Sequence, residues 1–177
     1  MQFEEQGTVG TDRYTVVPRS LSFVLCDDAL LLLRGAPDKR IWANRLNGLG
    51  GHIEPSEDPR QGARREIREE AGLAPRDLEL RAIVHVSGHA GHPGVMLFVF
   101  VGHAEERTIR PSSEGTLEWH ALDALPWDEM VADLPYLLPR VLASRQRTPI
   151  FGRYTIDASG EICYQFMDPG SGSREEA

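Results

Sequence analysis

Short apolar segments separated by turn residues run along most of the chain, a pattern typical of β-strands. The continuously apolar segment VMLFVFV at 95–101 is expected of a central strand covered on both faces. Residues 35–47 show no period and predict a loop. Strands are predicted at residues 20–26, 29–34, 78–87, 95–101, 117–120, 151–156 and 161–167. The first two strands flank Asp27-Asp28 and the last two flank residues 157–160, so each pair predicts a hairpin.

Two segments, residues 59–71 and 136–144, are predicted to be helices. Asp58 suits the N-cap of the first helix, and Pro59 suits its first position. Gly72 suits the left-handed residue that ends a helix. Because strands lie on both sides of this helix in the sequence, we expect a mixed sheet covered by helices, an α+β fold.

Composition favours a single globular domain at residues 16–167, with a flexible segment at 1–15 and a disordered tail at 168–177. The chain has 177 residues, of which 41% are hydrophobic and 26% charged, so it can bury a core without disulfides. Cys26 and Cys163 are isolated, which favours a reducing compartment and therefore a cytoplasmic protein.

Charge and hydropathy argue against two classes of partner. No apolar run approaches the roughly 20 residues of a membrane span, and the acidic N-terminus lacks the apolar core of a signal peptide. The net charge of −8 opposes binding to nucleic-acid phosphates. It does not oppose a small phosphorylated ligand held through metal ions. No dimer stripe stands out in the sequence, so a monomer or weak dimer is expected.

The first predicted helix carries an acidic face. Glu66, Glu69 and Glu70 are spaced i, i+3 and i+4 and therefore share one side of the helix, and Gly62 falls among them. Such a face is often simply solvated. Clustered carboxylates on a rigid helix also suit Mg²⁺, which prefers oxygen ligands. The glycine-rich segment GLGGHI at 48–53 has the composition of backbone that approaches another group closely.

From Gly51 to Leu73 the sequence reads G-HIEPS-E-DPRQGAR-RE-I-R-EE-A-G-L. It resembles the Nudix box, G-x5-E-x7-R-E-U-x-E-E-x-G-U, at every specified position. The resemblance implies a Nudix fold, which is an α/β/α sandwich with a loop–helix–loop catalytic motif. It also implies cleavage of a nucleoside diphosphate linked to another group, with Mg²⁺ as cofactor and Mn²⁺ as a substitute. The implied metal ligands are the Gly50 carbonyl, Glu66, Glu69, Glu70 and Glu114, and the implied catalytic residues are Glu66, Glu114, Arg65 and Glu57.

The resemblance also implies separate roles for these residues. Arg65 and Glu57 would brace the loop against the helix. Glu66 and Glu114 are both candidate general bases, and the sequence does not choose between them. Glu114 is assigned by its position five residues before Trp119, and its alternative is an ordinary surface acid.

The sequence outside the box is similar to the mammalian-type oxidised purine nucleoside triphosphatase branch of the family. LNGLGG at 46–51, the segment 112–142 and FGRY at 151–154 carry this similarity. The chain departs from the branch at Val131, where an aromatic residue is expected, and at Leu134, where a second acid is expected. The predicted substrate-binding residues are Arg34, Asn47, Leu49 and Asp133.

Two of these residues have plainer alternatives. Arg34 would face phosphates or be a surface arginine, and Asn47 would bond a base edge or form a turn. The spacing of His85, His89 and His92 does not favour a zinc site. The predicted activity is Mg²⁺-dependent hydrolysis of a purine nucleoside triphosphate, forms of the 8-oxo-dGTP type included, to a monophosphate and pyrophosphate. The alternatives are a Nudix hydrolase of ADP-ribose, dinucleoside polyphosphates or nucleotide sugars, and a non-catalytic nucleotide sensor.

Overall fold

The computed structural model describes residues 14–88, 92–143, 148–157, 159 and 161–167. The predicted flexible segment and the predicted tail lie outside these residues, apart from Tyr14 and Thr15. In the described part the strands are β1 (Val16–Cys26), β2 (Ala29–Gly35), β3 (Leu46–Asn47), β4 (Arg76–Val86), β5 (Gly94–His103), β6 (Gly115–Ala121), β7 (Ile150–Ile156) and β8 (Ile162–Met167). The helices are α1 (Pro59–Ala71) and α2 (Leu134–Ala143), and a 3₁₀ turn spans Trp127–Glu129.

The strands form one mixed sheet in the order β3-β2-β1-β5-β4-β7-β8, with β6 paired to β2. The β1/β5 and β4/β7 pairs are parallel, and the other pairs are antiparallel. The fully apolar β5 lies between β1 and β4, and both predicted hairpins are present, as the sequence predicts. The loop prediction for residues 35–47 is wrong at its end, because β3 pairs there with β2. A strand of two residues is too short to show a hydrophobic period in the sequence.

Helix α1 covers one face of the sheet and begins and ends where the sequence predicts. The Asp58 carboxylate accepts from the amides of Arg60 and Gln61, at 2.8 and 2.9 Å, and the Gln61 side chain accepts from the Asp58 amide in return. Gly72 ends the helix at φ 73°. The apolar stripe of α1, which is Ala63, Ile67 and Ala71, packs in a core cluster with side chains of β1, β2 and β5.

Helix α2 covers the opposite face and completes the α/β/α sandwich. Leu134, Leu137, Leu138 and Val141 pack in a second core cluster with side chains of β1, β2, β4, β5 and β7. The helix begins two residues before the predicted start, and the Asp133 carbonyl accepts from the amide of Leu137. Within the described residues, no helix is long and apolar enough to cross a membrane.

The sheet forks between β1 and β2, and the fork positions the candidate site. These strands pair only near their hairpin, from Val24 to Cys26 on β1. Closer to the start of β1, the glycine-rich segment takes the place of β2, because Ser22 bridges to Leu49 and Arg19 bridges to His52. The glycine-rich segment 48–53 is thereby fixed between β1 and helix α1.

Candidate active site

The glycines of the fork allow two close approaches. The amides of Ser20 and Ser22 donate to the carbonyls of Gly51 and Leu49, at 2.9 and 2.6 Å. Gly50 has φ 146°, and a Cβ on it would overlap the Ser20 backbone. A Cβ on Gly51 would lie 2.6 Å from the carboxyl carbon of Glu66. The close backbone approach predicted from the glycine content is confirmed, and one of the groups approached is a carboxylate of α1.

Glu70 is the buried member of the acidic face, with 7% of its surface exposed. Its Oε2 accepts from the Gly50 amide at 2.9 Å. Burial raises the pKa of Glu70 to about 7, helped by the negative charges of Glu66 and Glu114 and opposed by the Gly50 amide and Lys39. Desolvation and like charges therefore both disfavour the ionised form of this carboxylate.

Arg65 ties the loop before α1 to the acidic face. Its guanidinium donates to both oxygens of Glu57, at 2.7 and 3.1 Å, and to the His52 carbonyl at 2.9 Å. It also donates to Glu66 at 2.9 Å and to Glu69 at 3.0 Å. These carboxylates raise the pKa of Arg65 above its ordinary value. The contact between Arg65 and Glu57 is the brace that the sequence predicts.

Glu114 reaches the same region from the segment before β6. Its carboxylate forms an ion pair with Lys39, and its amide donates to the Ser112 hydroxyl at 3.1 Å. We call the surrounding space the acidic cavity. It has a volume of about 600 Å³ and includes in its lining Gly50, Gly51, Glu66, Glu69, Glu70 and Glu114. The structure therefore brings all five predicted metal ligands to one cavity.

Ion pairs engage three of these carboxylates. In the part of the chain that the structure describes, no three His, Cys, Asp or Glu side chains are arranged to hold a metal. Glu66 and Glu69 turn to Arg65, while Glu114 turns to Lys39. The residues nevertheless fit a divalent cation, because a buried carboxylate and its acidic neighbours share a cavity that has oxygen ligands on two sides.

A second cavity, the apolar cavity, adjoins the first. It has a volume of about 690 Å³, and its apolar lining includes Leu21, Leu97, Met130, Val131, Tyr154 and Tyr164. Asn47 and Asp133 add polar groups to its wall. The two cavities share part of their lining, namely Arg19, Trp42, Arg45, Asn47, Gly48 and Gly50. A single ligand can therefore occupy both.

Asp133 and Asn47, two of the predicted substrate-binding residues, both line the apolar cavity. Burial raises the pKa of Asp133, and an interaction with the Tyr154 hydroxyl partly lowers it again. Asn47 ends β3, where it pairs with Leu33, and its side chain accepts from the Gly48 amide at 2.8 Å. It lines both cavities, a position that is compatible with a contact to the base edge.

Two predicted substrate-binding residues lie elsewhere. The prediction for Leu49 is wrong, because its side chain is fully buried in the core beneath α1 and pairing with Ser22 fixes that orientation. The Arg34 side chain forms ion pairs with Glu118 at 2.5 Å and Glu129 at 2.8 Å, and it is absent from the described linings of both cavities. The carboxylates of Glu118 and Glu129 would compete with any phosphate for the Arg34 guanidinium.

Some basic and aromatic residues that line the cavities were not predicted from the sequence. Arg19, Arg45 and Trp42 line both cavities, and Trp42 and Arg45 come from the loop before β3. Arg19 could have been found from the sequence, because it is a charged residue at the start of an apolar strand. Arg45 could not, because its loop has no hydrophobic period. Tyr154 follows Ile150 and Gly152 on one face of β7, which could have marked it as inward-facing.

The histidines do not form a common site in the described residues. The ring of His85 shares a hydrogen bond of 2.8 Å with the Tyr14 hydroxyl. His92 is exposed, and His89 lies outside the described residues.

Known proteins resemble this chain in sequence and in fold. The NUDIX domain family matches residues 17–141. The oxidized purine nucleoside triphosphate hydrolase of Mus musculus is 29% identical over 130 residues, which cover 72% of this chain and 82% of the mouse protein. A MutT protein from Bacillus halodurans has the same fold, with a TM-score of 0.70 and 24% identity over 85% of this chain and 97% of that one. The NUDIX domain of Shewanella oneidensis NrtR, solved with ADP ribose, has a TM-score of 0.61 and 12% identity over 80% of this chain and 97% of that one.

These findings agree with the pattern read from the sequence. The family match covers well over half of the chain and includes α1 and the glycine-rich segment before it. The predicted likeness to oxidised purine nucleoside triphosphatases is confirmed by the mouse relative. The chain belongs to the NUDIX domain family and is a Nudix pyrophosphohydrolase.

Proposed function

We propose that this enzyme hydrolyses a purine nucleoside triphosphate, oxidised forms included, to a nucleoside monophosphate and pyrophosphate. The observation that carries the proposal is the junction of the apolar and acidic cavities at Asn47, Gly48 and Gly50. A nucleotide has a flat aromatic base at one end and phosphates at the other, and these two cavities match that division. The mouse relative named for purine triphosphates supports the choice of base.

The acidic cavity would hold the metal ions. We assign Glu66, Glu69, Glu70, Glu114 and the Gly50 carbonyl as ligands of Mg²⁺, for which Mn²⁺ can substitute. Bound Mg²⁺ neutralises phosphate charge and lowers the pKa of a coordinated water. The fit rests on the buried position of Glu70 and on the carboxylates beside it, whose mutual repulsion a divalent cation would relieve.

The protein groups around the metal have distinct proposed roles. Arg65 and Glu57 are positioning residues, because their contacts hold the His52 backbone and the Glu66 carboxylate in place. Glu66 and Glu114 remain the two candidate general bases. Lys39 pairs with Glu114 in the same cavity, and it would be available to a phosphate oxygen if Glu114 bound a metal.

The apolar cavity would bind the base. Asn47 and Asp133 offer hydrogen-bond donors and acceptors to a purine edge, within walls that are mainly apolar. Val131 stands where an aromatic ring would otherwise stack, and one lost stack weakens binding by about 1 kcal/mol. We therefore expect a purine preference with loose discrimination of the oxidised base. Arg19 and Arg45 at the junction would face the phosphates in place of Arg34.

A nucleotide panel tests the proposal. The enzyme is incubated with Mg²⁺ and purine, oxidised purine and pyrimidine triphosphates, ADP-ribose, a dinucleoside polyphosphate and a nucleotide sugar, and phosphate and pyrophosphate are measured separately. The highest kcat/KM for a purine triphosphate, with pyrophosphate released, is the expected result. A preference for ADP-ribose or a nucleotide sugar would overturn the substrate class. Tight binding without turnover would favour the nucleotide sensor.

We also propose that the protein acts in the cytoplasm as a monomer or weak dimer. Among the described residues Cys26 and Cys163 are both free thiols, which supports a reducing compartment. The net charge of −8 supports a small-molecule substrate in preference to nucleic acid. Cell fractionation and sedimentation at several protein concentrations would test these assignments.

A further inference from the structure

Tyr154 is held rigidly in the wall of the apolar cavity. It lies on β7, where its carbonyl accepts from the Ser87 amide at 2.9 Å. The rings of Tyr164 and Phe166 contact it edge-on, at centroid distances of 4.8 and 5.8 Å. Tyr164 in turn stacks on Tyr136 of α2 at 4.9 Å. Contacts on this scale fix the ring, so the position of its hydroxyl is set before any ligand binds.

The Tyr154 hydroxyl is a buried polar group without a satisfactory partner. Only 5% of the residue is exposed, and the oxygen has no well-formed hydrogen bond among the described residues. Asp133 lies near enough to raise the pKa of Tyr154, as burial also does, so the hydroxyl stays protonated. A buried hydroxyl without a partner destabilises a protein unless a ligand or water completes its hydrogen bonds, and this one lies in the wall of a cavity that can admit a ligand.

We infer that the Tyr154 hydroxyl hydrogen-bonds the polar edge of the six-membered ring of the bound base, beside Asp133. The inference rests on the proposed function, because it assumes that the apolar cavity holds the base. An ionised carboxylate only accepts, whereas a phenolic hydroxyl both donates and accepts. Together they match an edge with a donor next to an acceptor, which adenine and guanine both present. Tyr154 is thereby assigned as a residue that favours purines without choosing between them.

The test compares Tyr154→Phe with the wild type on three substrates. ATP and GTP have a polar six-membered ring, and benzimidazole riboside triphosphate has none. We expect KM for ATP and GTP to rise about three- to tenfold, the scale of one neutral hydrogen bond, with kcat changed less than about twofold. KM for the benzimidazole nucleotide should not change. The melting temperature without ligand should hold or rise, because the variant removes an unpaired buried hydroxyl.

The control is Tyr136→Phe, which removes a hydroxyl from the same aromatic cluster outside the cavity lining. Its KM values should match the wild type on all three substrates. An equal rise of KM on all substrates in Tyr154→Phe would show a packing role and overturn the inference. Unchanged KM for ATP and GTP would also overturn it, while the proposed function would stand. If the wild type hydrolyses none of the three, the proposed function itself fails.

Discussion

The acidic and apolar cavities adjoin, yet they are built in different ways. Six of the acidic cavity's lining residues, from Gly51 to Glu70, come from one continuous stretch that folds as a loop and a helix. The apolar cavity takes its lining from β1, β5, β7, β8 and the segment before α2. Chemistry common to a family can therefore be encoded locally, while the selection of a base depends on residues that only the complete fold brings together.

The cavities also differ in how their polar groups are balanced before a ligand arrives. In the acidic cavity, ion pairs with Arg65 and Lys39 offset the repulsion between carboxylates. In the apolar cavity, burial raises the pKa of Asp133, and the Tyr154 hydroxyl beside it has no well-formed hydrogen bond among the described residues. Ligand binding should thus exchange partners in the first cavity and supply missing partners in the second. Substitutions in the first should affect kcat, and substitutions in the second should affect KM.

The largest effect is expected from Glu70→Gln. A neutral amide is a poor Mg²⁺ ligand, and the loss of several kcal/mol of charge stabilisation corresponds to a fall in kcat of about a thousandfold or more. The Gln side-chain oxygen can still accept from the Gly50 amide, and burial no longer opposes a charge, so stability should hold or rise. Steady-state kinetics at saturating Mg²⁺ and thermal melts measure the two effects.

Two further variants sharpen this result. Glu69→Gln should also lower kcat strongly, although Glu69 is the exposed member of the face and pairs with Arg65. Glu79→Gln is the control, because Glu79 is an exposed acid on β4 paired with Arg81, outside the described lining of both cavities. Wild-type turnover in Glu70→Gln would remove that residue from the proposed metal site.

The difference between the cavities explains what the sequence could predict. Helix α1, its caps and the shared face of Glu66 and Glu70 follow from local spacing, and the structure agrees with them. The central position of β5 follows from its uninterrupted apolar run. These features depend on residues within a few turns of one another, where periodicity and capping chemistry determine the geometry.

The errors arise where distant segments meet. Leu49 sits in a motif beside the site, but its bridge to Ser22 turns the side chain into the core. Arg34 lies at a strand end that suits a phosphate contact, but β6 and the 3₁₀ turn bring Glu118 and Glu129 to its guanidinium. Neither partner is visible from local spacing. The same limit hid Arg45, because its loop has no period.

The second largest effect is expected from Gly62→Leu, which tests how the loop is seated on α1. A Cβ at Gly62 would lie 3.2 Å from Glu57 and 3.3 Å from Ile53, so a Leu side chain must push the loop away. Displacing the carboxylates by about 1 Å should lower kcat about a hundredfold. The free energy of unfolding should change less, since Leu is the better helix former.

Gly62→Ala is the matched control for this variant. Its single Cβ needs only a shift of a few tenths of an ångström, so kcat should stay within about threefold of the wild type while helix propensity improves. Kinetics and urea unfolding of both variants separate the two effects. Full activity in Gly62→Leu would show that the loop does not need to lie close to the helix.

A smaller effect is expected from Asp133→Ala in the apolar cavity. Removing a hydrogen bond between a charged group and a purine should raise KM about tenfold, with little change in kcat because Asp133 lies away from the acidic cavity. The control is Asp123→Ala, an exposed acid outside the described cavity linings. If KM is unchanged on purine and pyrimidine triphosphates alike, Asp133 does not read the base, and the substrate assignment moves towards ADP-ribose or a nucleotide sugar.

The smallest effect is a pH-dependent shift in stability from Asp133→Asn. Because burial raises the pKa of Asp133 in the folded protein, the folded state binds this proton more tightly than the unfolded chain, whose Asp pKa is about 3.9. Its stabilising contribution is therefore complete below pH of about 3.9 and is lost as the pH rises through the folded-state pKa. Asn does not titrate, so the melting temperature of the variant should rise relative to the wild type as the pH increases from about 4 through the folded-state pKa. Each unit of pKa shift corresponds to about 1.4 kcal/mol, or roughly 2–4 °C for a chain of this size.

The neighbouring Tyr154, Tyr164 and Arg140 are common to both proteins and cancel in the comparison. Ligand-free melts across this range measure the difference, and a difference that is constant or shrinks with rising pH would show that Asp133 is solvated as an ordinary surface acid.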